Sequence, residues 1–274
     1  MDGIAVMTTT VVPDGVVVRD LELATARGNI PATFLRAKGS AKRPLVIFSN
    51  GLGAERHEAV PPGVPQNRIS PPFVTALLNA DYNVLVPENP LHGERRPAGQ
   101  RTLDSVHSAL TGDARGFLDQ VFNESREIID GSLEQGLVTP GASIAAIGHS
   151  WGGLQSVLRF LGDRRVTTAV AIIPVVDPTS LDQFRSLQHA TGNLVEWLAG
   201  EFHRTADARP IKFIVGADDV IAPAVVARTF AAALHAGPYL DFADRLGYAE
   251  LPGVGHGFDE REVDETLSWL NRFV

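Results

Sequence analysis

The sequence predicts a doubly wound α/β fold, with a mostly parallel sheet that begins in antiparallel strands. Three observations lead there. From Pro44 onward, short apolar runs alternate with helical patterns. The runs lack the in–out alternation of a half-exposed strand, so both faces of the sheet are covered. Finally, "IAAIGHSWGGLQS" (144–156) passes from a buried strand to a helix through one tight, glycine-flanked turn.

The elements follow in order. "GVVVRDLELAT" and "IPATFLRAKG" read as an opening antiparallel pair around the turn "ARGN". The parallel strands are "PLVIFSN", "YNVLVPEN", "SIAAIGHS", "VTTAVAII", "IKFIVGAD" and "GYAELPG". Helices are predicted at "PPFVTALLNA", "DARGFLDQVFNESREIIDGSLEQG", "GGLQSVLRFLGD" and "PAVVARTFAAALHAG". The last is "DEREVDETLSWLNRFV", with Val263, Leu267, Leu270 and Val274 on one face. Residues 178–208 break the alternation. They carry Phe184, Trp197 and Phe202, and are expected to form a small helical cap on a single domain. These aromatics suit an apolar acyl or aryl group, or equally the packing of the cap on the core.

Composition narrows the function. At 274 residues and 44% hydrophobic, the chain can bury a large core. A net charge of −8 lacks the basic face that nucleic acid requires. There is no cysteine, which removes disulfides, thiolate–metal sites and a cysteine nucleophile. No apolar run spans a bilayer and no basic-then-apolar leader opens the chain, so a cytoplasmic protein is the expectation. No helical His-Glu-x-x-His pair, carboxylate cluster or phosphate loop calls for a metal or nucleotide cofactor.

Ser150 carries the chemistry. In an open parallel sheet, functional groups gather at the carboxyl ends of strands. Gly148-x-Ser150-x-Gly152 is the arrangement of a nucleophile elbow, whose turn is too tight for Cβ atoms two residues either side. The competing reading is a serine that merely caps the following helix. A nucleophilic serine needs a base held by an acid. Of eight histidines, His256 in "LPGVGHGF" follows the last strand and is flanked by glycines. His149 is expected to project away from Ser150. His57 and His92 follow strands and could line the site. His107, His189, His203 and His235 fall in or beside helices. For the acid, Asp218, Asp219 and Asp177 all follow strands.

These motifs resemble the α/β-hydrolases over roughly residue 15 to the C-terminus. The matching segments are "GHSWGG" at the elbow, "GADDVIAP" at the acid loop and "GVGHGF" at the histidine. Matching Gly216 and Pro223 to the G-x-x-D-x-x-x-P pattern of the family selects Asp219. "PENPLHGERRP" is similar to the dienelactone-hydrolase-like esterases and the catalytic domains of acyl-peptide hydrolases. Dienelactone hydrolases proper use cysteine, so serine here points away from that activity. The resemblance implies an oxyanion hole from the backbone N–H groups of Trp151 and Leu52, the latter in Asn50-Gly51-Leu52-Gly53. Asn50 stands where the family commonly has a histidine that supports the loop.

The resulting expectation is a serine esterase with Ser150, Asp219 and His256 as its triad, acting on a small-molecule ester as a monomer or homodimer. Peptidase, amidase, thioesterase, lactonase and cofactor-free haloperoxidase chemistry share this triad. Dehalogenases and epoxide hydrolases place aspartate at the elbow. A non-catalytic binding protein on the same scaffold is the alternative of a different class. The loop 54–72, with Arg56 and His57, could touch substrate, whereas His92, Glu94 and Arg95 are expected in a salt-bridged turn.

Overall fold

The computed structural model describes residues 6–11, 16–37, 43–60, 70–187 and 194–274. Nine strands form one sheet. They are β1 (Val6–Val11), β2 (Val17–Leu23), β3 (Ile30–Arg36), β4 (Leu45–Ser49), β5 (Asn83–Pro87), β6 (Ile144–His149), β7 (Val166–Ile172), β8 (Ile211–Gly216) and β9 (Leu246–Leu251). Their spatial order is β1-β2-β3-β5-β4-β6-β7-β8-β9. Strands β1 to β3 pair antiparallel, β3 joins β5 antiparallel, and the six strands from β5 to β9 run parallel. The expected architecture is therefore present, with one addition. "VMTTTV" forms β1, a strand the sequence reading did not include, because its threonines give no apolar run.

Strands β4, β5, β6 and β8 are buried at every position. The cause is the cover on both faces. Helices α1 (Ser70–Asn79) and α6 (Glu260–Phe273) pack on each other and on the sheet. Helices α2 (Thr102–Glu134), α3 (Trp151–Gly162), α4 (Leu194–Thr205) and α5 (Ala224–Ala236) form a connected layer on the other face. None of the described helices is long and apolar enough to cross a membrane.

Two helices differ from their sequence reading. Helix α2 begins at Thr102, eleven residues before the predicted start, and kinks at Asp113 (φ −155°, ψ 81°). The Asp113 carboxylate accepts the Gly116 N–H at 2.8 Å, so the predicted boundary is an internal cap rather than a first turn. Helix α6 buries Glu262, Thr266, Trp269 and Leu270. Its buried face is thus rotated from the aliphatic stripe and takes in two polar residues.

Between β7 and β8 lie two short 3-10 turns, Pro178–Ser180 and Asp182–Leu187, followed by α4. Residues 188–193, which include His189, and residues 61–69 of the long loop lie outside the described residues.

The strand order decides where loops can meet. Strand β5 follows β4 on one side and β6 follows on the other, so the chain reverses its direction of travel between β4 and β6. That reversal opens a crevice at the carboxyl ends of these two strands. Ser49 and Gly148 pair across it, so the segments beginning at Asn50 and Ser150 leave the sheet side by side.

Candidate active site

Ser150 sits at the head of α3 with φ 59° and ψ −118°, a left-handed backbone that a non-glycine residue rarely adopts. Its N–H donates to Ile172 O of β7 at 2.8 Å, and its O accepts from Gly153 and Val175. The neighbouring strand therefore pins the turn. The flanking glycines are required by close approach. A Cβ on Gly148 would lie 2.1 Å from Gly152 O, and one on Gly152 would lie 2.0 Å from Ser49 O.

Although Ser150 occupies the cap position of α3, its side chain makes no capping hydrogen bond. Its hydroxyl instead donates to His256 Nε2 at 2.8 Å. His256 Nδ1 in turn donates to Asp219 Oδ2 at 2.7 Å. A neutral imidazole with its proton on Nδ1 satisfies both bonds at once. The second oxygen of Asp219 accepts the backbone N–H groups of Ile221 at 2.7 Å and Ala222 at 2.9 Å. The carboxylate is fully buried, aimed by its own loop, and has little freedom to turn.

The other acids are elsewhere. Asp218 is exposed, with its backbone N–H on Val254 O. Asp177 accepts from the N–H and hydroxyl of Thr179, closing the 3-10 turn that follows it.

The loop after β4 faces the serine across the crevice. A Cβ on Gly51 would lie 3.8 Å from Ser150 Cβ. Leu52, Gly51 and Ala54 line the same cavity as Ser150 and His256, together with Glu58, Ser70, His149, Leu181, Gln183 and Ile221. The cavity holds about 290 Å³. Asn50 supports this loop from below. Its amide donates to Glu55 O at 2.7 Å, its side-chain oxygen accepts from Ser70 Oγ at 2.7 Å, and its own carbonyl accepts from Asn89 at 3.0 Å. Trp151 takes the first position of α3, where a backbone N–H has no partner within its own helix. Its indole is buried against Phe117 and Phe184, at ring separations of 6.3 Å each.

Several sequence expectations change here. Arg56 is buried and bonds Asp20 at 2.6 Å, Thr33 at 2.8 Å and Glu94 at 2.8 Å, and it does not line the cavity. His57 stands half-exposed beside Asp20, and His92 is fully buried with Nδ1 2.9 Å from Pro90 O; neither lines the cavity. Arg95 does form the expected ion pair, with Glu124. Phe184 and Phe202 are buried in aromatic contacts with Trp151, Phe160, Phe230 and Tyr239, so they pack the core. From 178–187 it is Leu181 and Gln183 that reach the cavity.

His149 is the residue that sequence reasoning missed. It does not project away. Its ring is buried 5.7 Å from that of His256, at 67°. Burial, reinforced by the neighbouring His256, lowers it to about 3, so it is neutral at physiological pH. The sequence signal was present but misread: strand alternation ends at His149, and the left-handed Ser150 turns both side chains toward one crevice.

No protein-family profile matches the chain, and no curated protein matches it. Solved structures do. A Klebsiella pneumoniae protein provisionally named dienelactone hydrolase superposes with a TM-score of 0.68 at 16% identity, over 94% of this chain and 99% of that one. The Pyrococcus horikoshii acylaminoacyl peptidase gives 0.69 at 12%, over 94% of this chain and 42% of its own. Acetyl xylan esterase 1 of a Thermoanaerobacterium species gives 0.66 at 15%, over 98% and 87%. The chain has the α/β-hydrolase fold.

Proposed function

We propose that the protein is a serine hydrolase of carboxylic esters, working from one domain on which the turns of residues 178–187, carrying Leu181 and Gln183, form a small cap beside the cavity. The observation that carries this reading is the unbroken hydrogen-bond chain from Ser150 through His256 to the buried Asp219. In this mechanism Ser150 Oγ attacks the ester carbonyl while His256 Nε2 takes its proton. The same proton then goes to the departing alcohol oxygen. Asp219 holds the productive tautomer and steadies the imidazolium. The N–H groups of Leu52 and Trp151 receive the developing oxyanion, aided by the amino end of α3. Water, deprotonated by His256, hydrolyses the acyl-enzyme and frees Ser150.

The cavity lies at the small end of the range for ligand sites, which favours short acyl groups on small-molecule esters. The esterase and peptidase names among proteins of the same fold agree with acyl transfer as the reaction class. The triad needs no metal or organic cofactor for this chemistry.

The test is labelling with a fluorophosphonate probe, alongside hydrolysis of p-nitrophenyl acetate and butyrate. Wild type is expected to label and turn over. Ser150→Ala is expected to lose labelling, and both Ser150→Ala and His256→Ala to lose turnover. A folded wild type that neither labels nor hydrolyses either ester would overturn the reading in favour of a binding protein.

A further inference from the structure

His149 has no step in the proposed reaction, yet its ring stands against the base. It is the last residue of β6, paired in register with Ile172 of β7, so its backbone is fixed by the sheet. Phe73 of α1 also packs beside it, with ring centres 6.5 Å apart at 44°. Phe73 also receives Phe258 edge-on, at 5.4 Å and 88°. Phe258 follows His256 by two residues on the same loop. One residue of α1 therefore braces the histidine loop twice, through Phe258 directly and through His149 at the imidazole itself.

The loop has need of a brace. Glycines at 253, 255 and 257 surround His256, and Gly253 has φ 76°. Such a backbone gives weak torsional restraint. The hydrogen bonds of Nδ1 to Asp219 and of Nε2 with Ser150 set the direction of the imidazole but leave it able to turn about the line through its two nitrogens. Contact with a second, immobile ring removes that turn. His149 Nε2 is buried and has no hydrogen-bond partner among the described residues, so the contact is one of ring packing. Being neutral, the ring adds no charge beside the imidazolium that forms in each half-reaction.

We infer that His149, backed by Phe73, is a positioning residue that holds the His256 ring in line between Ser150 and Asp219. The inference rests on the serine-hydrolase reading.

It is tested on the full-length protein by comparing wild type, His149→Ala and His149→Phe. The readouts are the fluorophosphonate labelling rate, kcat and KM for p-nitrophenyl acetate per labelled serine, and Tm. A misplaced base lowers rate more than binding, so His149→Ala is expected to lose about 10- to 100-fold in kcat and in labelling rate, with KM within about threefold. His149→Phe restores a ring and is expected to return kcat to within about fivefold of wild type. Wild-type kcat in His149→Ala, or a His149→Phe as slow as His149→Ala, would overturn the inference. Where His149→Ala fails to fold, Phe73→Leu tests the same brace: a loss of about 3- to 10-fold in kcat is expected, and unchanged kcat overturns it. A wild type that neither labels nor turns over would instead sink the hydrolase reading itself, before any variant is compared.

Discussion

Ser150 Oγ and His256 Nε2 stand 2.8 Å apart although 106 residues separate them in the chain. The serine is fixed by a left-handed turn pinned to β7, whereas the histidine rides on a glycine-rich loop after β9. Their meeting depends on strand order, and the partners of each can be tested separately.

Asp219 is expected to matter and its neighbours not. Asp219→Asn loses the acceptor that selects the Nδ1 proton, so kcat should fall by about 10⁴-fold with little loss of stability. Asp218→Asn and Asp177→Asn should stay within about twofold of wild type, because neither carboxylate reaches His256. Steady-state kinetics of the three variants checks this. An Asp218→Asn as impaired as Asp219→Asn would assign the acid wrongly.

The elbow glycines should tolerate no side chain. Gly152→Ala places a methyl 2.0 Å from the carbonyl oxygen of Ser49, which β4 holds in the sheet. Such overpacking is expected to cost about 3 kcal/mol. The denaturant midpoint should drop accordingly, and ester turnover should vanish with the turn geometry. A Tm within about 1 °C of wild type would show that the turn can open.

Stability should peak in mildly acidic solution. Burial raises Glu262 to about 8 and Glu88 to about 7, from an ordinary value near 4.5. In that interval the folded protein keeps protons that the unfolded chain releases. The stability they contribute is full below about 4.5 and is lost as pH rises through 7 to 8. Burial lowers His149 to about 3 and His92 to about 4. Stability from these two is full above the ordinary histidine value near 6.5 and is lost as pH falls toward 4. Tm measured across pH is therefore expected to be highest and nearly flat between about pH 4.5 and 6.5, where the two effects offset, and to decline on both sides. Glu262→Gln should flatten the alkaline limb; a Tm that climbs from about pH 6 to pH 8.5 would contradict the assignment.

A buried carboxylate should carry unusual weight far from the chemistry. Glu124 of α2 receives both terminal nitrogens of Arg95, at 3.0 and 2.5 Å. It also favours the charge on the fully buried Arg159, whose Nε donates to Ser49 Oγ at 3.2 Å and which burial lowers to about 10. Removing the carboxylate leaves two guanidinium groups without it, so Glu124→Ala is expected to cost about 3–5 kcal/mol. Urea unfolding at unchanged slope reads this directly. A loss below about 1 kcal/mol would mean that the two arginines find other partners.

Much of this was legible before any coordinates. Buried parallel strands appear as uninterrupted apolar runs, and β4 to β8 are found where those runs are. The elbow was legible because only glycine fits its flanks. Strand β1 was not, since three consecutive threonines give neither an apolar run nor an alternation. Arg56 read as a loop cation near substrate, but its partners Asp20 and Glu94 lie 36 and 38 residues away and meet it only after folding. His149 was misjudged because strand alternation was carried one residue past the point where the backbone leaves the strand.

The sequence by itself determined the covered parallel sheet, the sharp turn at Ser150 and the placing of Asp219 and His256 in loops that follow strands. Those depend on local pattern and local sterics. Only the tertiary structure decided that the loop of Asp219 aims its carboxylate through two backbone N–H groups, that Asn50 carries the loop opposite the serine, and that His149 packs against His256. These relationships join loops of β4, β6, β8 and β9. Spacing along the chain does not encode them; the order of strands across the sheet does.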